Sequence, residues 1–395
     1  MNPLTLSAYT LTTSLGVGLQ ANLDALRDRR TGLAPCAFET ARLDTWVGQV
    51  PDAMLAPVRS DLAPFDCRNN RLAQLALRQD AMEQALADAR LRYGPERIGV
   101  VVGTSTSGIL STELAYRRRD SAGALPADFD YACTHNHYSL GRFLRAYLGL
   151  HGPATVVSTA CSSSAKVFGS AARMIAAGLC DAALVGGADS LCLTTLYGFG
   201  SLELLSKLPC RPYDRQRDGI SIGEGAGFGL LERTPGSAHG ASVRLLGVGE
   251  SSDAYHMSTP HPEGAGARIA MQAALTSAGL RAEQIDYINL HGTGTRANDA
   301  SEARAVFDLF GERTPCSSTK GWTGHLLGAC GIAAAILCAL SLREGFLPGS
   351  ANTRELDPAL RVRYLIQNQP MAPQRVMCNA FGFGGSNCSV VLGCA

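Results

Sequence analysis

The stretch Val156-Val157-Ser158-Thr159-Ala160-Cys161-Ser162-Ser163-Ser164-Ala165 constrains the fold of this chain more than any other. The β-branched run 155–157 predicts a buried strand, and the Ala-rich pattern over about 164–177 predicts a helix. Only small residues separate the two. Cys161 is therefore expected on a tight strand-to-helix turn, with the first N–H groups of the helix directed at it. A helix N-terminus favours negative charge, so this position would lower a thiol pKa and supply thiolate near neutral pH. The competing reading is one more small buried apolar residue, the commoner fate of a cysteine.

At 395 residues the chain can bury one large core or two fused halves. Hydrophobic residues make up 46% and charged residues 17%, with a net charge of +1, so neither a nucleic-acid-binding nor a membrane-surface protein is indicated. An acidic partner would have to meet a local basic patch. The thirteen cysteines are scattered, without a C-x-x-C pair or zinc-spaced histidines, and read as reduced core residues of a cytoplasmic protein. The N-terminus lacks the basic region of a signal peptide. The least polar stretch, 328–342, is read as too short for a membrane span.

Along the chain, 19–29 and 70–92 carry helical periodicity, and 98–102 is an apolar strand running into the small-residue turn 103–108. That turn lacks the Gly-Lys-Ser/Thr of a phosphate loop. Strands are expected at 181–187 and 223–231. The breakers Thr234-Pro235-Gly236 then mark a seam between halves 1–235 and 236–395. The second half repeats the style, with helices at 265–277, 301–310 and 330–342 and a strand at 285–290. Alternating strands and helices in two halves predict an α/β architecture with largely parallel, buried sheets.

Three further stretches could carry chemistry. In Leu290-His291-Gly292-Thr293-Gly294-Thr295, the imidazole of His291 ends a strand before a turn too small to bury it, where it serves either a cavity or a backbone hydrogen bond. Asp299 and Glu302 have the spacing of a capping box. Lys320 and His325 are the only basic groups between Arg313 and Arg343, among small and apolar neighbours. A lysine there needs a partner, and Glu302 is the obvious candidate. The Gly-rich run Phe381-Gly382-Phe383-Gly384-Gly385-Ser386-Asn387 permits close backbone approach.

Jointly, these motifs resemble the β-ketoacyl-[acyl-carrier-protein] synthases of the thiolase-fold superfamily, of the elongating Cys-His-His type. The resemblance rests on the Cys161 turn, His291-Gly-Thr-Gly-Thr with Glu302, Lys320 with His325, and Phe381 to Asn387. Arg211-Pro-Tyr-Asp, Gly223-Glu-Gly-Ala-Gly and Ser251-Ser-Asp253-Ala-Tyr-His256 also match, and the similarity covers nearly the whole chain. It implies a thiolase-like five-layered αβαβα fold of two similar halves, the first carrying the nucleophile and the second the histidines and a gating loop. By resemblance, Cys161 holds the acyl chain as a thioester, and the N–H groups of Cys161 and Phe383 form an oxyanion hole. His291 and His325 donate from Nε2 to the enolate of decarboxylated malonyl-carrier protein. Lys320 pairs with Glu302, and Phe381, Phe383, Asp253 and Thr106 line or gate the substrate pocket. No metal or organic cofactor is implied, since the phosphopantetheine arm belongs to the partner acyl carrier protein. A dimer is expected, either a homodimer or a heterodimer with a chain-length-factor-like paralogue.

Some residues depart from housekeeping synthases, among them the short start at Met1, Trp322 and Thr106. With the runs 65–71 and 189–197 they resemble the synthases of bacterial aryl-polyene clusters. An ordinary fatty-acid elongating synthase and a non-catalytic chain-length partner are the alternatives, the latter disfavoured by Cys161. Arg68 and Arg71 resemble the family's basic contact for an acidic carrier protein, and Arg117-Arg118-Arg119 either supplements it or is a solvated face.

Overall fold

The computed structural model describes residues 1–233 and 243–394. The seam at 235/236 thus lies outside the described residues. In the first half the strands are β1 (Leu4–Thr13), β2 (Ile98–Gly103), β3 (Ala154–Val157), β4 (Ala182–Asp189) and β5 (Gly225–Arg233). They lie in the order β1-β5-β4-β2-β3, and their pairings run antiparallel, antiparallel, parallel, parallel. In the second half β6 (Val243–Ser252), β7 (Tyr287–Asn289), β8 (Pro315–Ser317), β9 (Arg375–Gly382) and β10 (Ser386–Cys394) lie in the order β6-β10-β9-β7-β8 with the same series of pairings. The halves repeat each other strand for strand. They join where β1 meets β6, at Leu4–Leu245, Thr5–Arg244 and Leu6–Val243.

Side-chain alternation along these strands builds the layers. Val100 and Val102 enter a core under the helices α1 (Arg68–Leu77), α2 (Met82–Tyr93) and α3 (Tyr138–Leu148), whereas Val101 faces the central core. In the second half Val391 and Met377 pack under α5 (Ala265–Ala278) and α6 (Arg296–Phe310), whereas Val390, Leu392 and Val376 face the centre. The central core holds α4 (Ser163–Ala176) and α7 (Cys330–Glu344) between the two half-sheets. Three cores separated by two half-sheets give the αβαβα layering.

Buried on all sides, α7 has no polar face: Cys330 through Leu342 are all buried. The helical run Leu327–Glu344 is long and apolar enough to cross a membrane by length and composition, contrary to the sequence reading, but 89% of it is buried inside the fold. Its apolarity answers to its place in the middle layer. At the crossing of α4 and α7, Ile332 N–H donates to Ser164 Oγ at 2.9 Å, and a Cβ on Gly331 would lie 2.4 Å from Ala165 N. Only glycine admits this approach, and it presses together the two helix starts that flank the site.

The single helix expected over 70–92 is two. Asp80 (φ +54°) and Ala81 (φ +55°) break it, and the Asp80 carboxylate instead accepts Leu19 N–H at 3.0 Å and Thr10 Oγ–H at 2.8 Å. A tertiary contact overrides the helical period. All thirteen cysteines are unpaired, and eleven are buried.

Candidate active site

Cys161 sits on the turn between β3 and α4 and is only 6% exposed. The turn forces Ala160 to φ +51°, a conformation that costs a residue with a side chain about 1–3 kcal/mol and persists only when its surroundings hold it. Here serine hydroxyls hold it. Ser163 Oγ–H donates to Ala160 O at 2.6 Å and accepts Thr159 N–H at 2.9 Å, and Ser162 Oγ–H donates to Thr159 O at 2.9 Å. A Cβ on Gly103 would lie 2.5 Å from the backbone of Ser163 and Ser164, so β2 packs directly beneath.

Burial works against the expected thiolate. Burial pushes the Cys161 thiol up to about 12, with Cys330 adding to the effect and Lys320 and the Phe383 N–H opposing it. That rise corresponds to roughly 4 kcal/mol, more than the ~2 kcal/mol a helix end supplies in a favourable geometry. Desolvation thus opposes the field of the helix end and favours the protonated thiol.

Both histidines face the sulfur. His325 Nε2 lies 3.0 Å from Cys161 Sγ, and the three side-chain atoms of Cys161, His291 and His325 fall within 4.8 Å of one another. The rings of His291 and His325 meet edge-on, 5.3 Å between centroids. Their outer nitrogens decide what they can do. Leu327 N–H donates to His325 Nδ1 at 3.1 Å, and the Lys320 ammonium lies 3.3 Å from His291 Nδ1 while also donating to His291 O. A donor at each Nδ1 assigns the proton of each neutral ring to Nε2. Burial, then the Lys320 charge, holds both imidazoles well below the usual histidine range, so both are neutral. Three ligand atoms this close also have the spacing of a metal site, but metal binding would need both Nε2 lone pairs. The hydrogen bonds commit both to N–H, the arrangement for an oxyanion.

Lys320 and Glu302 do not form the expected ion pair. Glu302 Oε1 accepts His291 N–H at 2.7 Å and Asn379 Nδ2–H at 3.1 Å, and Oε2 accepts Gly292 N–H at 2.7 Å. Burial raises Glu302 to about 7 against these donors and the more distant Lys320. The residues therefore grip His291 from two sides, one at its backbone N–H and the other at its carbonyl and ring. Nor is Glu302 part of a capping box. The helix begins earlier than its periodicity suggested, Thr295 Oγ accepts Asn298 N–H at 3.3 Å, and Asp299 turns inward to Tyr213 N–H at 2.9 Å.

The Gly-rich loop closes over the sulfur. Phe383 N–H is directed at Cys161 Sγ, and a Cβ on Gly382 would lie 3.3 Å from Cys161 N. Gly384 (φ +80°) donates its N–H to Met257 O at 2.7 Å, Asp253 N–H donates to Gly385 O at 2.8 Å, and Asn387 Nδ2–H donates to Asp253 Oδ1 at 2.7 Å. The Phe383 ring rests 5.5 Å from that of Phe199, and Phe381 lies 5.9 Å from His291. A cavity of about 410 Å³ opens here, with Cys161, both histidines, Phe381, Phe383 and Asp253 in its lining. Thr106 is not in that lining. It is buried with its N–H (2.8 Å) and Oγ–H (2.7 Å) on Asp189, which correlates it with the wall behind the site rather than with the cavity. Sequence reasoning missed Leu327, Asn379 and Phe199. The first acts through its backbone N–H, which no residue type signals.

Arg68, expected at the docking surface, is committed inside the fold. Its side chain is 12% exposed, forked onto the fully buried Glu224 at 2.6 and 2.8 Å and bonded to Asp52 at 2.5 Å. Arg71, at 34% exposure, is closed on Asp66 through two bonds of 2.6 Å. Both guanidiniums are already neutralised. Arg68→Ala is expected to leave Glu224 as a buried carboxylate without its cation and to cost about 3–5 kcal/mol, read as a lower denaturant midpoint. Unchanged stability with a raised KM for carrier protein alone would restore the docking role. Of the basic run, Arg117 and Arg118 are paired with Glu39 and Asp128, and Arg119 lies over Tyr116.

Residues 64–236 match the family model "Beta-ketoacyl synthase, N-terminal domain", and residues 243–354 match "Beta-ketoacyl synthase, C-terminal domain". The 3-oxoacyl-[acyl-carrier-protein] synthase 2 of Vibrio cholerae is 35% identical over 355 residues, covering 83% of this chain and 86% of that one. Nodulation protein E of Rhizobium meliloti is 36% identical over 303 residues, covering 74% of each. Among solved structures, the ketosynthase ApeO, in complex with its chain length factor ApeC, from Xenorhabdus doucetiae superposes with a TM-score of 0.91 at 40% identity, covering 100% of this chain and 98% of that one. With matching models on both halves and relatives along most of its length, the chain is a member of the β-ketoacyl synthase family.

Proposed function

We propose that this synthase holds an acyl chain on Cys161 and extends it by decarboxylative condensation with malonyl-[acyl-carrier protein]. The observation that carries the residue roles is the pair of neutral imidazoles beside the Cys161 sulfur, each with its proton on Nε2 and His325 Nε2 3.0 Å from the sulfur. In the first step the sulfur attacks the carrier-bound thioester. The carrier thiol departs with the proton that Cys161 loses, and the Phe383 N–H faces the developing oxyanion. Malonyl-carrier protein then enters and loses CO2. The resulting enolate oxygen accepts hydrogen bonds from His291 and His325, whose fixed tautomers need no reorganisation. The enolate carbon attacks the Cys161 thioester, the bond to sulfur breaks, and a 3-oxoacyl chain two carbons longer stays on the carrier. No cofactor enters these steps, because the phosphopantetheine arm is the carrier's.

The finer reading is a specialised synthase, of aryl-polyene or related polyketide type, that works with a chain-length-factor-like partner rather than as a housekeeping enzyme. It is supported by the likeness to a ketosynthase solved with such a factor. The edge strand β3 leaves room for a partner strand, from such a paralogue or from a second copy, since among the described residues it pairs with β2 alone and its four residues are half-buried. The test is intact-mass analysis of the carrier after incubating the purified protein with acyl- and malonyl-carrier protein, alone and with a chain-length-factor paralogue. Extended 3-oxoacyl carrier only in the presence of the paralogue supports both readings. Extension by the protein alone removes the heterodimer, and no extension in either case removes the condensation.

A further inference from the structure

Arg296 stands at the open end of the cavity that has Cys161 in its lining. One wall of that cavity carries His291, Thr293, Thr295 and Arg296. Depth falls along the chain, for His291 and Thr293 are buried, Thr295 is half-buried and Arg296 is exposed. The wall is fixed by the hydroxyls of Thr293 and Thr295, 2.9 Å apart, and by the bond from Asn298 N–H to Thr295 Oγ at 3.3 Å. Five residues of chain reach at most about 17 Å, so reacting imidazole and exposed guanidinium stand at the two ends of one short path.

The Asp357 carboxyl is held low first by its bond to Arg217, and the Arg296 guanidinium lies near enough to help lower it but is not closed on it. Among the described residues no hydrogen bond or ion pair holds the Arg296 side chain, whereas Arg68, Arg71 and Arg211 are closed on Glu224, Asp66 and Asp218. Of the three carboxylates in the cavity lining, Asp218 is paired with Arg211, Asp253 accepts from Asn387, and among the described residues no ion pair joins Glu203 to Arg296.

This inference rests on the reading that the cavity admits a thioester carried on a phosphopantetheine arm. Such an arm has its thioester at one end and its phosphate at the other. With the thioester at Cys161, the phosphate lies toward the rim. We infer that Arg296 binds the phosphate of the arm and so positions it. A planar guanidinium offers two parallel N–H donors to phosphate oxygens, a fit that lysine does not reproduce. Because the site is open to water, its contribution is modest and sensitive to salt.

The test compares acylation of Cys161, followed by intact mass, from three donors with the same acyl group: acyl-pantetheine, acyl-phosphopantetheine and acyl-carrier protein. The native protein should prefer acyl-phosphopantetheine over acyl-pantetheine by roughly fivefold in KM, a preference that shrinks with added salt. Arg296→Ala should bring that ratio close to one with kcat unchanged, and Arg296→Lys should keep only part of it. A ratio unaltered in Arg296→Ala overturns the inference. So does a loss confined to the carrier-bound donor, which would place the anion on the carrier's surface. Equal losses with all three donors would make Arg296 structural and overturn it as well. If the native protein takes no acyl group from any donor, the reading of the cavity itself fails.

Discussion

Cys161→Ala is expected to abolish chain elongation while leaving the fold intact. Removing the nucleophile should lower turnover by a factor on the order of 10⁴ to 10⁶, as in enzymes that act through a covalent intermediate. Stability should change little, on the order of 1 kcal/mol, because the sulfur borders a cavity and the turn is held by Ser162 and Ser163. Intact mass should show an acyl adduct on the native protein and none on the variant. Twelve other cysteines are present, so an adduct surviving in Cys161→Ala would place the nucleophile elsewhere. Cys330 is the nearest alternative, but its thiol donates to Cys161 O at 3.1 Å and it does not line the cavity.

Lys320→Ala should damage the second half-reaction, though less than loss of the nucleophile does. Without the ammonium, His291 loses the donor that fixes its tautomer and a tie at its carbonyl. Loss of one preorganised oxyanion donor lowers the rate about 10²- to 10³-fold. Decarboxylation of malonyl-carrier protein should fall by that much, and acylation of Cys161 by far less. Glu302→Ala loosens the same residue from the other side, at its N–H. The two substitutions should couple by about 0.5–3 kcal/mol in a double-mutant cycle although their side chains form no ion pair, since His291 transmits the effect. Simple additivity in the decarboxylation rate would mean that the two residues do not share His291.

The path from residues to fold was legible wherever local chemistry dominates. The apolar run before Cys161 and the Ala-rich run after it gave the turn its place, and strands alternating with helices indicated layered α/β halves. The failures came where a distant contact decides. Asp80 breaks a well-patterned helix because it caps groups from β1 and the helix at Gly18–Arg27. Glu302 turns from a lysine it could have paired with to backbone N–H groups, which no spacing rule reports. Arg68 looked like a surface cation because its partner Glu224 lies 156 residues away in sequence. The pKa of Cys161 was misjudged because a helix-end field is visible in sequence and burial is not.

The central claim, that two neutral Nε2–H imidazoles stabilise an enolate beside Cys161, is tested most directly by Cys161→Gln. The planar amide imitates the acylated cysteine and cannot be displaced by the enolate, so decarboxylation is separated from condensation. Incubated with malonyl-carrier protein and followed by intact mass, Cys161→Gln should form acetyl-carrier protein well above background. Adding His291→Ala or His325→Ala should then remove about 10²- to 10³-fold of that rate. Background decarboxylation by Cys161→Gln, or a rate indifferent to both histidines, would contradict the account.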